Sequence, residues 1–159
     1  MASYQETLPN GEIVNELMAQ TTSINHVEII ENVIDSLEQD DSAMVSQPPE
    51  GGYVWKFKYG SVEVFVKLTG TSDEDTLTVW SVVLKLPVQD ETKLMRQLLE
   101  MNCSSTLEAR FGIIENQVVV ISTRTLPELS ASEVSRLITI VATIADNNDE
   151  ALKSEFTAA

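Results

Sequence analysis

Apolar residues recur along the chain with two periods, and the switches between them lay out the fold. Between Ser23 and Leu37, Val27, Ile30, Ile34 and Leu37 recur at spacings of 3, 4 and 3. Ile29 and Val33 widen that stripe, while Glu28, Glu31, Asn32, Asp35 and Glu38 lie opposite. The pattern predicts a helix with Ser23 as its N-cap. Gln39-Asp40-Asp41-Ser42 ends it, and Pro48-Pro49-Glu50-Gly51-Gly52 prevents continuation. From Tyr53 the period becomes two. Tyr53, Trp55, Phe57 and Tyr59 alternate with Lys56 and Lys58, Gly60-Ser61 reads as a hairpin turn, and Val62, Val64, Val66 and Leu68 alternate with Glu63 and Lys67. After the loop 70–75, Leu77 to Leu86 is apolar on both faces, with Leu77, Val79 and Val83 on one and Trp80, Val82, Leu84 and Leu86 on the other. Such a strand is central or covered on both sides.

Pro87 closes this meander, and Asp90 to Asn102 predicts a second helix capped by Asp90. Its Leu94, Met95, Leu98, Leu99 and Met101 are more apolar surface than one sheet face requires. A second hairpin is expected from 106–114 and 117–124, turning at Glu115-Asn116. Ser130-Ala131-Ser132-Glu133 is a capping box that opens a third helix. Val134, Leu137, Ile138, Val141, Ile144 and Ala145 form its inner stripe, and Asp146-Asn147-Asn148-Asp149 is expected to end or loosen it. The order α-β-β-β-α-β-β-α predicts an α+β domain: a mainly antiparallel five-stranded sheet with helices packed on it. It divides as a loosely ordered arm (1–22), the domain (23–147) and a helical extension or tail (148–159).

Charge narrows the choice of partner. Ten basic and 25 acidic side chains give a net charge of −15. A field of that sign repels phosphate backbones and anionic lipid, so neither nucleic acid nor membrane is expected as a partner. Met1 to Asn10 lacks the basic start and apolar run of a secretion signal. With the single cysteine, Cys103, this points to the cytoplasm.

Chemistry is sparse. His26, the only histidine, has no evident catalytic partner and reads as a surface or capping residue. Cys103 follows a helix, whose negative end disfavours a thiolate. Asp73-Glu74-Asp75 lacks the spaced ligands of a calcium loop. No phosphate-binding glycine loop, nucleophile elbow or zinc signature is present. The expectation is a chain without catalytic residues, metal or cofactor.

The surplus apolar surface therefore points to an unidentified protein partner and a homodimer. The candidate surface comprises Trp80, Val82 and Leu84 on the strand, and Leu94, Met95, Leu98, Leu99 and Met101 on the helix. The alternative is a small-molecule sensor with a pocket lined by Trp55, Phe57 and Tyr59. A hydrolase or transferase built on carboxylates, with loop 73–75 among them, comes third.

Three phrases carry a family resemblance: Trp55-Lys56-Phe57-Lys58-Tyr59-Gly60-Ser61-Val62-Glu63-Val64-Phe65-Val66, Leu94-Met95-Arg96-Gln97-Leu98-Leu99-Glu100-Met101-Asn102, and Phe111-Gly112-Ile113-Ile114-Glu115-Asn116-Gln117-Val118-Val119-Val120. With Leu129-Ser130 and the Ile- and Val-rich helix that follows, they resemble the YbjN-like family, in wording close to cyanobacterial members. The resemblance implies the fold of type III secretion chaperones, over about residues 23–147. It also implies a dimeric domain that acts without cofactor, chaperone-like or regulatory, with no catalytic residues to transfer.

Overall fold

The computed structural model describes residues 25–159, so the expected arm and Ser23 lie outside the described residues. The elements are α1 (His26–Leu37), β1 (Met44–Ser46), β2 (Tyr53–Tyr59), β3 (Val62–Leu68), β4 (Thr76–Lys85), α2 (Glu91–Ser104), β5 (Arg110–Ile114), β6 (Gln117–Thr125) and α3 (Ala131–Glu155). The strands form one sheet in the order β1-β2-β3-β4-β6-β5, with every neighbouring pair antiparallel. The α+β architecture is the expected one with six strands in place of five.

The added strand is β1, three exposed residues at the sheet edge. It is too short to show alternation. Its position follows instead from the loop before it, where Glu38 Oε2 accepts the Ala43 amide at 2.6 Å and Ser42 Oγ accepts the Lys58 amide at 2.8 Å. The second hairpin also starts later than its pattern suggests. Leu107 adopts a left-handed φ of 51°, and Ala109 N donates to Thr106 O at 2.9 Å, so a turn precedes β5.

All three helices lie on one face of the sheet. Helix α3 crosses the centre with Val134, Ile138, Val141, Ala142 and Ala145 fully buried, against Val64, Val66, Val79, Val83, Val118 and Val120. The alanines let the helix approach closely. Helix α1 packs beside α3, with Asn25 as its cap. It is fixed by Trp55 Nε1 donating to Glu31 (3.3 Å) and by His26 Nε2 donating to the Leu129 carbonyl (3.2 Å). Helix α2 is tied to α3 through Glu155, which receives Lys93 and Gln97 at 3.5 and 3.2 Å.

Helix α3 does not end at Asp146–Asp149 but runs 25 residues to Glu155. The reason lies in the Gly60-Ser61 turn. Asp146 Oδ1 accepts the Ser61 amide at 2.9 Å and its hydroxyl at 3.0 Å. Asp149, wholly buried, accepts the same hydroxyl at 2.7 Å and the Lys153 ammonium at 3.3 Å. These polar side chains satisfy a partner turn rather than breaking the helix, and Leu152 and Phe156 carry it on into the core. The final residues then lie against 87–89, with Gln89 N donating to Thr157 O and Ala159 N to Pro87 O.

The acidic residues of the loops are also structural. Asp75 accepts the Ser72 hydroxyl and amide and the Thr69 hydroxyl at 2.7–2.9 Å, and the Ser72 hydroxyl leads in holding its carboxyl below the usual range. Arg136 grips Glu108 through two hydrogen bonds, at 2.7 and 3.3 Å, and likewise lowers that carboxyl's pKa.

The α3–turn contact is open to direct test. Gly60 has φ 55°, and a Cβ there would run into the Asp146 carboxylate. Gly60→Ala is expected to cost about 2 kcal/mol, and Asp149→Ala about 3 kcal/mol. Both should appear as lower urea midpoints at unchanged slope. Wild-type midpoints in both variants would refute this anchoring of α3.

Candidate protein-binding surfaces

Two apolar surfaces remain outside this core, on opposite sides of the sheet. The first lies on the helical side, at the β5 edge. Residues Met95, Leu98, Leu99, Asn102, Phe111, Gly112 and Ile113 line a groove of about 290 Å³ between α2 and β5. Leu99 is 67% exposed and Ile113 55%, with Leu107 nearby in sequence and also exposed. Asn102 closes part of the strand edge: its Oδ1 accepts the Phe111 amide at 2.7 Å and its Nδ2 donates to the Phe111 carbonyl at 3.3 Å. By strand alternation Ile113 presents the next outward amide and carbonyl, beyond the reach of Asn102. A groove beside an unpaired strand edge can accept another chain by side-chain burial and by main-chain pairing together.

The second surface is the face of the sheet that carries no helix. Cross-strand register aligns Lys56, Phe65, Trp80, Ile121 and Arg110 in one row. The Phe65 and Trp80 rings stack with centroids 5.3 Å apart and planes 12° from parallel. Val82 and Val119 pair in the adjoining row. Trp80, Val82, Val119, Ile121 and Ile114, with Lys67, line a shallow hollow of about 290 Å³. Phe65, Trp80, Val82 and Ile121 are only partly buried, Val119 is 1% exposed, and no helix or strand lies over them among the described residues.

No group of three or more His, Cys, Asp or Glu side chains is placed to hold a metal among the described residues. Cys103 is exposed in the last turn of α2. No described helix is long and apolar enough to cross a membrane.

The model of the YbjN family, described as "Putative bacterial sensory transduction regulator", matches residues 26–154. The chain belongs to the YbjN family. The match takes in every described element except the last residue of α3. No curated protein matches the sequence. Among solved structures, a chain of the "Crystal Structure of the ExsC-ExsE Complex" is similar, with a TM-score of 0.51 and 21% identity over 67% of this chain and 80% of that one. At that identity the likeness is one of fold. The YbjN chain has the α+β, type III secretion chaperone-like fold that its sequence resembles, with one strand more than expected.

The structure separates the residues that the YbjN sequence grouped as one candidate surface. Leu94 and Leu98 are 0% and 4% exposed and belong to the core, Leu98 also flooring the groove. Met95 and Met101 are half-buried, and Leu99 is the residue of α2 that stands clear. Trp80 and Val82 lie on the helix-free face. Leu84 does not, because the register shifts between Val82 and Leu84 and the bulge turns both Val83 and Leu84 inward. The three residues of the expected sensor pocket do not share one: Phe57 is 0% exposed, and Trp55 lines a hollow of about 190 Å³ with Met44 and Val45, without Phe57 or Tyr59. A larger hollow, about 410 Å³, lies instead between β4 and the C-terminal segment, beside Lys85, Val88, Lys153 and Phe156.

Sequence reasoning missed Phe65, Ile121, Ile113 and Asn102. Phe65 had a signal, since it sits between Glu63 and Lys67 on the polar side of β3 and breaks the alternation. Asn102 had none, because capping of a distant strand edge leaves no local pattern.

The two tryptophans report whether the second face is open. Trp55 is buried and Trp80 half-exposed. Acrylamide quenching should therefore resolve two populations, and Trp80→Phe should abolish the accessible one. A single shielded population in the wild type would mean that this face is covered.

Proposed function

We propose that this YbjN chain is a cytoplasmic, non-catalytic protein-binding module that acts as a homodimer, chaperone-like or regulatory in role. The observation that carries the proposal is the concentration of exposed aliphatic side chains where α2 meets the edge strand β5. Leu99, Leu107 and Ile113 are three of the six large exposed hydrophobic residues among the described residues. Monomeric proteins seldom leave such a cluster beside an unpaired strand edge, and a twofold axis through it would bury the same patch of both copies. The second surface would remain free for a partner. Support also comes from the family's description as a regulator and from the fold neighbour's origin in a two-protein complex. The exposed thiol of Cys103 fits a reducing compartment.

Leu99→Asp places a charge in the groove without touching the core, whereas Leu98→Asp would unfold the chain. Light scattering should give twice the 17.6 kDa chain mass for the wild type. Leu99→Asp should give a folded monomer, with dimer affinity weakened at least a hundredfold. A wild type that is monomeric at about 100 μM, well above the affinities of stable dimers, would overturn the dimer. A Leu99→Asp variant that stays dimeric would remove α2 from its interface.

A further inference from the structure

The net charge of the chain conceals a strong segregation. Six of its ten basic residues lie in strands (Lys56, Lys58, Lys67, Lys85, Arg110 and Arg124), against one of its 25 acidic residues, Glu63. Arg124 turns to the helical side, where it meets Glu133 at 3.6 Å. The other five, by register, fall on the helix-free face. The strands of that face thus carry five basic residues to one acidic, with Glu115 of the β5–β6 turn added at the rim of the hollow, on a chain with ten to 25 overall. Lys56 is engaged by Glu63 at 3.3 Å, and Lys58 is held loosely by Asp40 at 4.0 Å. Lys67, Lys85 and Arg110 have no carboxylate within ion-pair distance among the described residues. In so acidic a protein, three cations without a described carboxylate, around an aromatic stripe that no described element covers, need another explanation than surface solvation.

We infer that the helix-free face of the sheet binds an acidic, hydrophobic peptide segment of a partner protein, laid across the strands. This rests on the reading of the chain as a protein-binding module and names the chemistry of its partner. The row from Lys56 through Phe65, Trp80 and Ile121 to Arg110 spans four strand spacings, about 19 Å. An extended segment of about six residues covers that distance. The segment would therefore carry carboxylates about six residues apart, with two or three aliphatic or aromatic residues between them on Phe65, Trp80 and Ile121. The hollow beside Trp80 and Lys67 takes one such side chain.

A nucleic-acid strand fits less well. Base stacking needs a free aromatic face, and the Phe65 and Trp80 rings are turned face to face against each other. A phosphate at every step also meets the acidic loops around the sheet, whereas a peptide can alternate charge with apolar contact.

The test is selection of random displayed peptides, about a dozen residues long, on the wild-type protein, followed by anisotropy with the enriched sequences. The expected winners are net acidic with interspersed Leu, Ile, Phe or Trp, quench Trp80 fluorescence, and weaken with added salt. The double variant Lys67→Glu, Arg110→Glu, both on the surface, should weaken them at least tenfold. Leu99→Asp should leave them unchanged, so failure here and failure of the dimer are read separately. The inference is overturned by no enrichment, by neutral or basic winners, or by winners indifferent to the double variant. Tighter binding of oligouridylate or of phosphatidylserine vesicles at the same salt would overturn it as well.

Discussion

Helix α3 lies on the centre of the sheet with ten of its residues buried, and every other placement depends on that contact. Each large aliphatic side chain so covered contributes about 1.5–3 kcal/mol of transfer free energy, and Ala142 and Ala145 bring the helix close enough to gain it. The contact also decides which side of the sheet is dry. With α1 and α2 docked beside α3, a single helical layer covers one face, and no described element covers the other. The polar anchor of Asp146 and Asp149 on the Gly60-Ser61 turn fixes how far α3 runs and in which direction.

From this one-sided cover follow the two surfaces. Helix α2 sits at the margin of the layer, so only Leu94 and Leu98 reach the core, and Leu99 is left facing outward beside β5. Central strand β4 is apolar on both faces, but the described helices cover only one of them. Trp80 therefore stacks with Phe65 in the open rather than under a helix. Because the surfaces lie on opposite sides, the proposed self-association at the α2–β5 end and the proposed capture of a partner on the helix-free face would not compete. That separation suits the proposed binding role, in which the chain would pair with itself and still present a free face.

Much of this was legible in the sequence. The 3.6 and 2.0 periods located three helices and five strands, and Asp90 and Ser130 marked two caps correctly. Legibility failed where long-range pairing overrode local pattern. Asp146 to Asp149 reads as a helix stop until Ser61 is brought against it. The bulge after Val82 reversed the side of Leu84, which alternation alone had placed with Trp80. Strand β1 is too short to have a period. For the candidate surfaces, a surplus of apolar residues on α2 and β4 was legible, but periodicity cannot say which of two buried-looking faces has a cover. The charge was misleading in the same way, since a net value of −15 hid a sheet face that is locally basic.

The most direct test of the α2–β5 end as the association surface is amide hydrogen exchange at Ile113. Its amide points away from β6 at the sheet edge and should exchange quickly in an isolated chain. If two copies join there, protection should rise with protein concentration and be absent in a chain kept monomeric. Rapid exchange at every concentration, with the Gly112 and Ile114 amides protected by β6, would leave the edge bare and contradict association at this surface.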